Sequence, residues 1–152
     1  MNYLIPIVTA IIGAVAGYFL SLNKDIIIMK RQEVAKAKDN IIIGINEFII
    51  SIRYNDFGNN YIPLKNLIDY LPIIEKLLNA NIIYLKNSVS VDIMGAYENY
   101  HYPNIPDGFP IDHPFKIYGI DEKTSKNIPN FPYSDGKDFA IKNLQKIIDV
   151  IN

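Results

Sequence analysis

A chain of 152 residues with 15 Lys and Arg against 16 Asp and Glu has a net charge of −1, which gives no general attraction to nucleic acid. It has no Cys, so a disulfide framework, a thiol nucleophile and a Cys-ligated zinc site are excluded. The length predicts one domain, and the abundance of Ile, Asn and Lys is the bias of an AT-rich genome, bacterial or phage.

No charged side chain precedes Lys24. From Tyr3 to Leu22 the chain reads YLIPIVTAIIGAVAGYFLSL, which as a helix is about 30 Å long, the thickness of a bilayer's hydrocarbon core. Residues 1–23 are therefore expected to form an uncleaved transmembrane anchor and residues 24–152 a helical domain. Two other readings compete. Ala14-Val15-Ala16 resembles a signal-peptide cleavage site, but no Lys or Arg precedes the apolar run. A buried core helix would have to be apolar all round, which few small domains accommodate. Tyr3 and Tyr18 sit near the ends of the run, where amphipathic rings prefer headgroups, and Pro6 lies in the first turns.

Lys24, Lys30, Arg31, Lys36 and Lys38 follow the span, and only the α-amine precedes it. The positive-inside rule predicts the N-terminus outside and the C-terminal domain in the cytoplasm, at a bacterial inner membrane. The same cations are placed to meet anionic headgroups. Within the span Thr9, Gly13, Gly17 and Ser21 recur every four residues and form a small-residue stripe. Close backbone approach along such a stripe pairs helices in lipid, so a homo-oligomer is expected.

Leu22–Tyr54 is expected to continue as one helix, with room for a small break near Asn23. Ile27, Val34, Ile41 and Phe48 are spaced by seven, and Ile45 and Ile52 add second positions that Arg31 and Lys38 occupy nearer the membrane. This fits a short coiled-coil seam or one helix of an intramolecular bundle. Gly44 is a candidate close helix crossing. Asn55–Asn60 is a turn cluster, and Pro63 suits a helix first turn. Leu64, Leu67, Ile68, Leu71, Ile74 and Leu78 follow at helical spacing, with Pro72 expected to kink or divide the helix. Asn79–Asn81 allows a connection or a continuation, and Ile82, Leu85, Val89, Ile93 and Ala96 form a further helical stripe. The last segment, Lys137–Ile151, places Ala140, Ile141, Leu144, Ile147, Ile148 and Ile151 on one side, with Ser134 or Asp135 as its cap.

The stretch from about 100 to 136 breaks this periodicity. It holds Pro103, Pro106, Pro110, Pro114, Pro129 and Pro132 together with many aromatics. An ordered, irregular arm packed over the bundle is expected, with a short hairpin allowed around Phe115–Ile120. The Pro-x-x-Pro pairs at 103/106 and 129/132 are weak polyproline signals and read better as turns. The predicted fold class is all-α: one N-terminal transmembrane helix continuing into a small cytoplasmic bundle with this arm.

Both histidines, His101 and His113, lie in the arm near Asp107, Asp112, Asp121 and Glu122. An Asp–His couple would orient a general base, and two His with a carboxylate would bind a metal, but neither has supporting spacing. No His-Glu-x-x-His, phosphate-cradling loop, nucleophile elbow or calcium loop is present, so no cofactor is expected. His101, Tyr102, Phe109, His113, Phe115 and Tyr118 are the candidate surface for an unidentified cytoplasmic or membrane protein partner. The arrangement is similar in outline to small bacterial proteins with one N-terminal span and a cytoplasmic helical domain, a likeness that transfers no functional residue.

The expected function is that of a membrane-anchored, non-enzymatic interaction or assembly protein. The alternatives are a membrane-perturbing effector subunit of a toxin or phage-defence system, and a small anchored enzyme built on the His101/His113 region.

Overall fold

The computed structural model describes residues 4–54, 64–105, 114–129, 131 and 133–152. The described residues are helical, with no strand among them. In chain order they form α1 (Leu4–Tyr54), α2 (Leu64–Ile82), α3 (Asn87–His101), a 3-10 helix η1 (Pro114–Gly119), α4 (Glu122–Ser125) and α5 (Gly136–Ile151). The chain divides into two compact units, Met1–Lys36 and Ala37–Asn152.

The first unit is the N-terminal part of α1. No Pro follows Pro6 in this helix, so the hydrogen-bond ladder runs through Asn23 without the break that the sequence allowed there. Every described side chain from Thr9 to Glu33 is exposed. This helix is long and apolar enough to cross a membrane.

The second unit buries one stripe from each long helix. Its part of α1 contributes Ala37, Ile41, Ile45, Phe48, Ile49 and Ile52. The heptad-spaced positions Ile41, Ile45, Phe48 and Ile52 are thus buried inside the domain. Each such Ile, fully removed from water, contributes about 1.5–3 kcal/mol. Three contacts run α2 antiparallel to α1. Asn40 Nδ2 donates to Asn81 Oδ1 at 3.0 Å, Leu77 faces Gly44, and the Ser51 and Tyr70 hydroxyls hydrogen-bond at 3.2 Å. The Tyr70 ring also meets Phe48 edge-on at 4.7 Å. Gly44 is the close crossing that its position predicted: a Cβ there would lie 2.4 Å from a Leu77 methyl.

Helix α5 runs antiparallel to α1 on the same reasoning. Lys38 Nζ donates to Ile151 O at 2.5 Å, and Lys137 Nζ donates to Arg53 O at 2.9 Å. Its buried stripe is Phe139, Ala140, Asn143, Leu144, Ile147, Ile148 and Ile151. Asp135 caps it, accepting from Asp138 N at 2.7 Å, so Asp135 and not Ser134 is the cap. Helix α3 packs on α5 through Ile93, Ala96, Tyr97 and Tyr100.

Several expectations need correction. Pro72 does not divide its helix, because Leu67, Ile74 and Leu78 are anchored in the core on both sides while Pro72 itself faces solvent. The stripe Ile82–Ala96 is not one helix. Helix α2 ends at Ile82, a turn follows in which Leu85 N donates to Ile82 O at 3.0 Å, and α3 starts at Asn87. The Ser90 hydroxyl steadies that corner by donating to Ile82 O at 3.0 Å. The stripe survived the break because Ile82, Leu85 and Val89 all remain packed against the core. The region around Phe115–Ile120 is a 3-10 helix and not a hairpin. The turn cluster Asn55–Asn60, Pro63, Pro106, Pro110 and Pro132 lie outside the described residues.

The start of α5 is the tightest joint. Gly136 N donates to Ile120 O at 2.8 Å, and a Cβ on Gly136 would lie 2.4 Å from the carbonyl oxygens of Ile117 and Tyr118. Those atoms are backbone and cannot swing aside, whereas the Leu77 methyls above Gly44 can. Gly136→Ala is therefore expected to cost about 1–3 kcal/mol as overpacking. Gly44→Ala is expected to stay within about 1 kcal/mol of the parent, since helix propensity offsets the Leu77 shift. Urea denaturation of the two variants checks the contrast, and equal losses would contradict it.

Candidate functional site

Two regions carry candidate residues, one in each unit. In the first, Thr9, Gly13, Gly17 and Ser21 lie on α1 and are all exposed. Nothing lies within 4 Å of a Cβ built on Gly13 or Gly17. Because α-helical steps are about 100°, an i, i+4 row turns by about 40° at each step, so the stripe winds gently around the helix.

In the second unit the arm folds down as a ladder of rings. Tyr100, at the end of α3, stacks on Tyr118 of η1 with centroids 5.5 Å apart. Tyr118 meets Phe139 of α5 edge-on at 5.4 Å, and Phe139 in turn stacks on Tyr133 at 4.4 Å and meets Phe131 edge-on at 5.7 Å. The Tyr118 hydroxyl donates to Tyr100 O at 2.8 Å and accepts from Asn143 Nδ2 at 3.0 Å. Asn143 Oδ1 accepts from Lys146 Nζ at 3.0 Å. Burial raises the pKa of both Tyr100 and Tyr118, and for Tyr118 the Asn143 hydrogen bond opposes that effect. Burial also raises Tyr97, with the Glu75 carboxylate adding to the shift.

The candidate partner surface is only partly assembled. His101 and Tyr102 stack at 4.2 Å at the end of α3, and the buried Tyr97 ring lies 6.0 Å from the His101 ring. Tyr102 is 63% exposed and is the open face of the His101–Tyr102 pair. Tyr118, placed on the surface by sequence reasoning, is instead wholly buried and belongs to the core. Phe109, His113 and the side chain of Phe115 lie outside the described residues, as does Asp107.

The acidic candidates have local structural work. Asp121 caps α4, accepting from Thr124 N at 2.6 Å, and the Thr124 hydrogen bonds hold its carboxyl below the usual range. Glu122 accepts from Lys126 Nζ at 2.6 Å, and that hydrogen bond with the Lys126 charge lowers its pKa. Ser125 Oγ donates within this corner, 2.6 Å from Ser134 O, tying α4 to the lead-in of α5. Among the described residues no group of three His, Asp or Glu could hold a metal ion.

Sequence reasoning missed an open groove of about 700 Å³ between α3 and α5, bordered by Val91, Asp92, Gly95, Asn99, Lys146 and Asp149. Its signal was the adjacent small pair Gly95-Ala96 on α3, which leaves the helix surface low at that point. Compared with family models, characterised proteins and solved structures, the chain matches none.

The buried tyrosines set an alkaline limit on the fold. A pKa raised in the folded state adds stability that is complete below the unfolded value, about 10, and drains away as pH rises beyond it. Each such tyrosine is expected to cost about 1.4 kcal/mol per pH unit there. Tyr118→Phe removes one of them and leaves Tyr100 O and Asn143 Nδ2 without this partner, so it is expected to lower neutral stability by about 1–3 kcal/mol. Its stability should also fall less steeply above pH 10. Urea midpoints measured from pH 7 to 11 read both effects, and a parallel pair of curves would contradict the second.

Proposed function

We propose that this chain is a membrane-anchored, non-enzymatic interaction or assembly protein. The observation that carries this reading is the first unit: Ile11, Ile12, Val15, Phe19 and Leu20 are all exposed on a helix of span length. Water around such a helix costs about 25 cal/mol for each Å² of apolar surface, and lipid removes that cost. Lys24, Lys30, Arg31 and Lys36 follow the apolar run, and by the positive-inside rule they hold the second unit on the cytoplasmic side of a bacterial inner membrane.

In this reading copies pair in the bilayer through Thr9, Gly13, Gly17 and Ser21. The open space over both glycines supports that pairing face. Contacts between copies then rest on the part of α1 ahead of Ala37, because Ile41, Ile45, Phe48 and Ile52 are already buried within the domain. Tethering confines the domains to two dimensions and raises their effective concentration, so a weak surface such as the His101–Tyr102 pair suffices to engage a partner protein.

Gly13→Ile combined with Gly17→Ile is expected to reduce crosslinking between copies in membranes strongly while membrane fractionation stays unchanged. Undiminished crosslinking of the double variant would refute the pairing face, and release of the parent chain into the soluble fraction would refute the anchor. Leakage of entrapped dye from vesicles carrying the parent chain would favour the membrane-perturbing effector instead.

A further inference from the structure

The apolar run before Lys24 is not the last one on α1. After Lys24-Asp25 come Ile26, Ile27, Ile28 and Met29, which are 49%, 51%, 41% and 61% exposed. Successive residues on an α-helix point about 100° apart, so these four project in four directions around the axis. A second copy or a groove covers one stripe of a helix and would leave the other side in water. Only surroundings that are apolar on every side cover all four.

We propose that the embedded part of α1 continues to Met29, with Ile26–Met29 in the acyl–headgroup boundary and Lys24, Lys30 and Arg31 on the phosphates of anionic lipids. This inference rests on the reading of the first unit as a membrane span. Length supports it. Leu4–Met29 extends about 39 Å, and at the common tilt of about 20° it spans about 37 Å, the depth of a hydrocarbon core plus one headgroup layer. Charge supports it as well. At about 100° per residue, Lys24, Lys30 and Arg31 share one third of the helix circumference, while Asp25, the one acid between Asn23 and Gln32, points away from them. A cationic arc beside an apolar tetrad is the pattern of a helix seated at an anionic membrane surface.

The absence of native Cys makes the test clean. Single variants Ile26→Cys, Ile27→Cys, Ile28→Cys and Met29→Cys, with Ile12→Cys and Gln32→Cys as references, are labelled with bimane. Each full-length chain is reconstituted in phosphatidylcholine–phosphatidylglycerol vesicles. With lipids brominated near the headgroup, all four tetrad labels are expected to lose fluorescence, and iodide in the water is expected to quench Gln32→Cys but none of the four. Replacing phosphatidylglycerol by phosphatidylcholine is expected to weaken the bromine quenching at the tetrad only. Iodide access to all four labels, or to those on one side only, would overturn the proposal, the second outcome pointing to a protein partner. Lipid-composition independence would overturn its anionic part. Iodide access to Ile12→Cys would show that the span itself fails, whereas protection there with an accessible tetrad would sink only the extension.

Discussion

The phenolic oxygen of Tyr118 sits where three segments meet. It donates to the Tyr100 carbonyl near the end of α3 and accepts from Asn143 in the middle of α5, on a ring that is wholly buried in η1. A hydroxyl in such a place costs several kcal/mol if left without partners, and roughly nothing when both are in position. The geometry is therefore nearly all-or-none: the rings of Tyr100 and Phe139 fix the tilt of Tyr118, and the two hydrogen bonds fix its depth. An aliphatic side chain at this point would fill the volume without choosing one docking position for the arm. Gly136 completes the joint, because only a residue without Cβ lets η1 come down onto the start of α5.

The second organising constraint is that one uninterrupted helix carries two side-chain patterns. Up to Glu33 α1 exposes every described side chain, whereas from Ala37 onward it commits a stripe to a conventional core. Nothing in the backbone marks the change, since helix hydrogen bonds are satisfied within the segment whatever surrounds it. What changes is the side-chain pattern, from apolar in every direction to apolar on one face. The first core residues of the second unit, from Ala37 on, belong to the same helix in sequence as the apolar run.

Much of this architecture was legible because it is periodic. The α5 stripe and the buried face of α1 follow from spacings of three and four, and the crossing at position 44 from a lone glycine inside a helix. The failures occur where periodicity carries no information. The stripe of Ile82, Leu85, Val89 and Ile93 keeps its phase across a turn, so spacing alone cannot locate the end of α2. Tyr118 lies in a helix of only 6 residues, too short for any repeat to show which side is inward. Its burial depends on partners 18 and 25 positions away, which no local pattern encodes. Likewise Pro72 is a breaker by local rules and is overruled by core anchors on both sides of it.

The contact between Lys38 and Ile151 places the beginning and the end of the second unit side by side. A compact unit whose ends touch can be rewired without disturbing its interior. A short linker across that gap, with the chain opened instead at the exposed corner Ile83–Tyr84, would keep the helices of this unit, including its own part of α1 from Ala37, and bring α3 to α5 off the ribosome ahead of α1 and α2. The domain is in that sense a closed loop, and the junction at Lys36–Ala37 is one of several points at which such a loop could be opened.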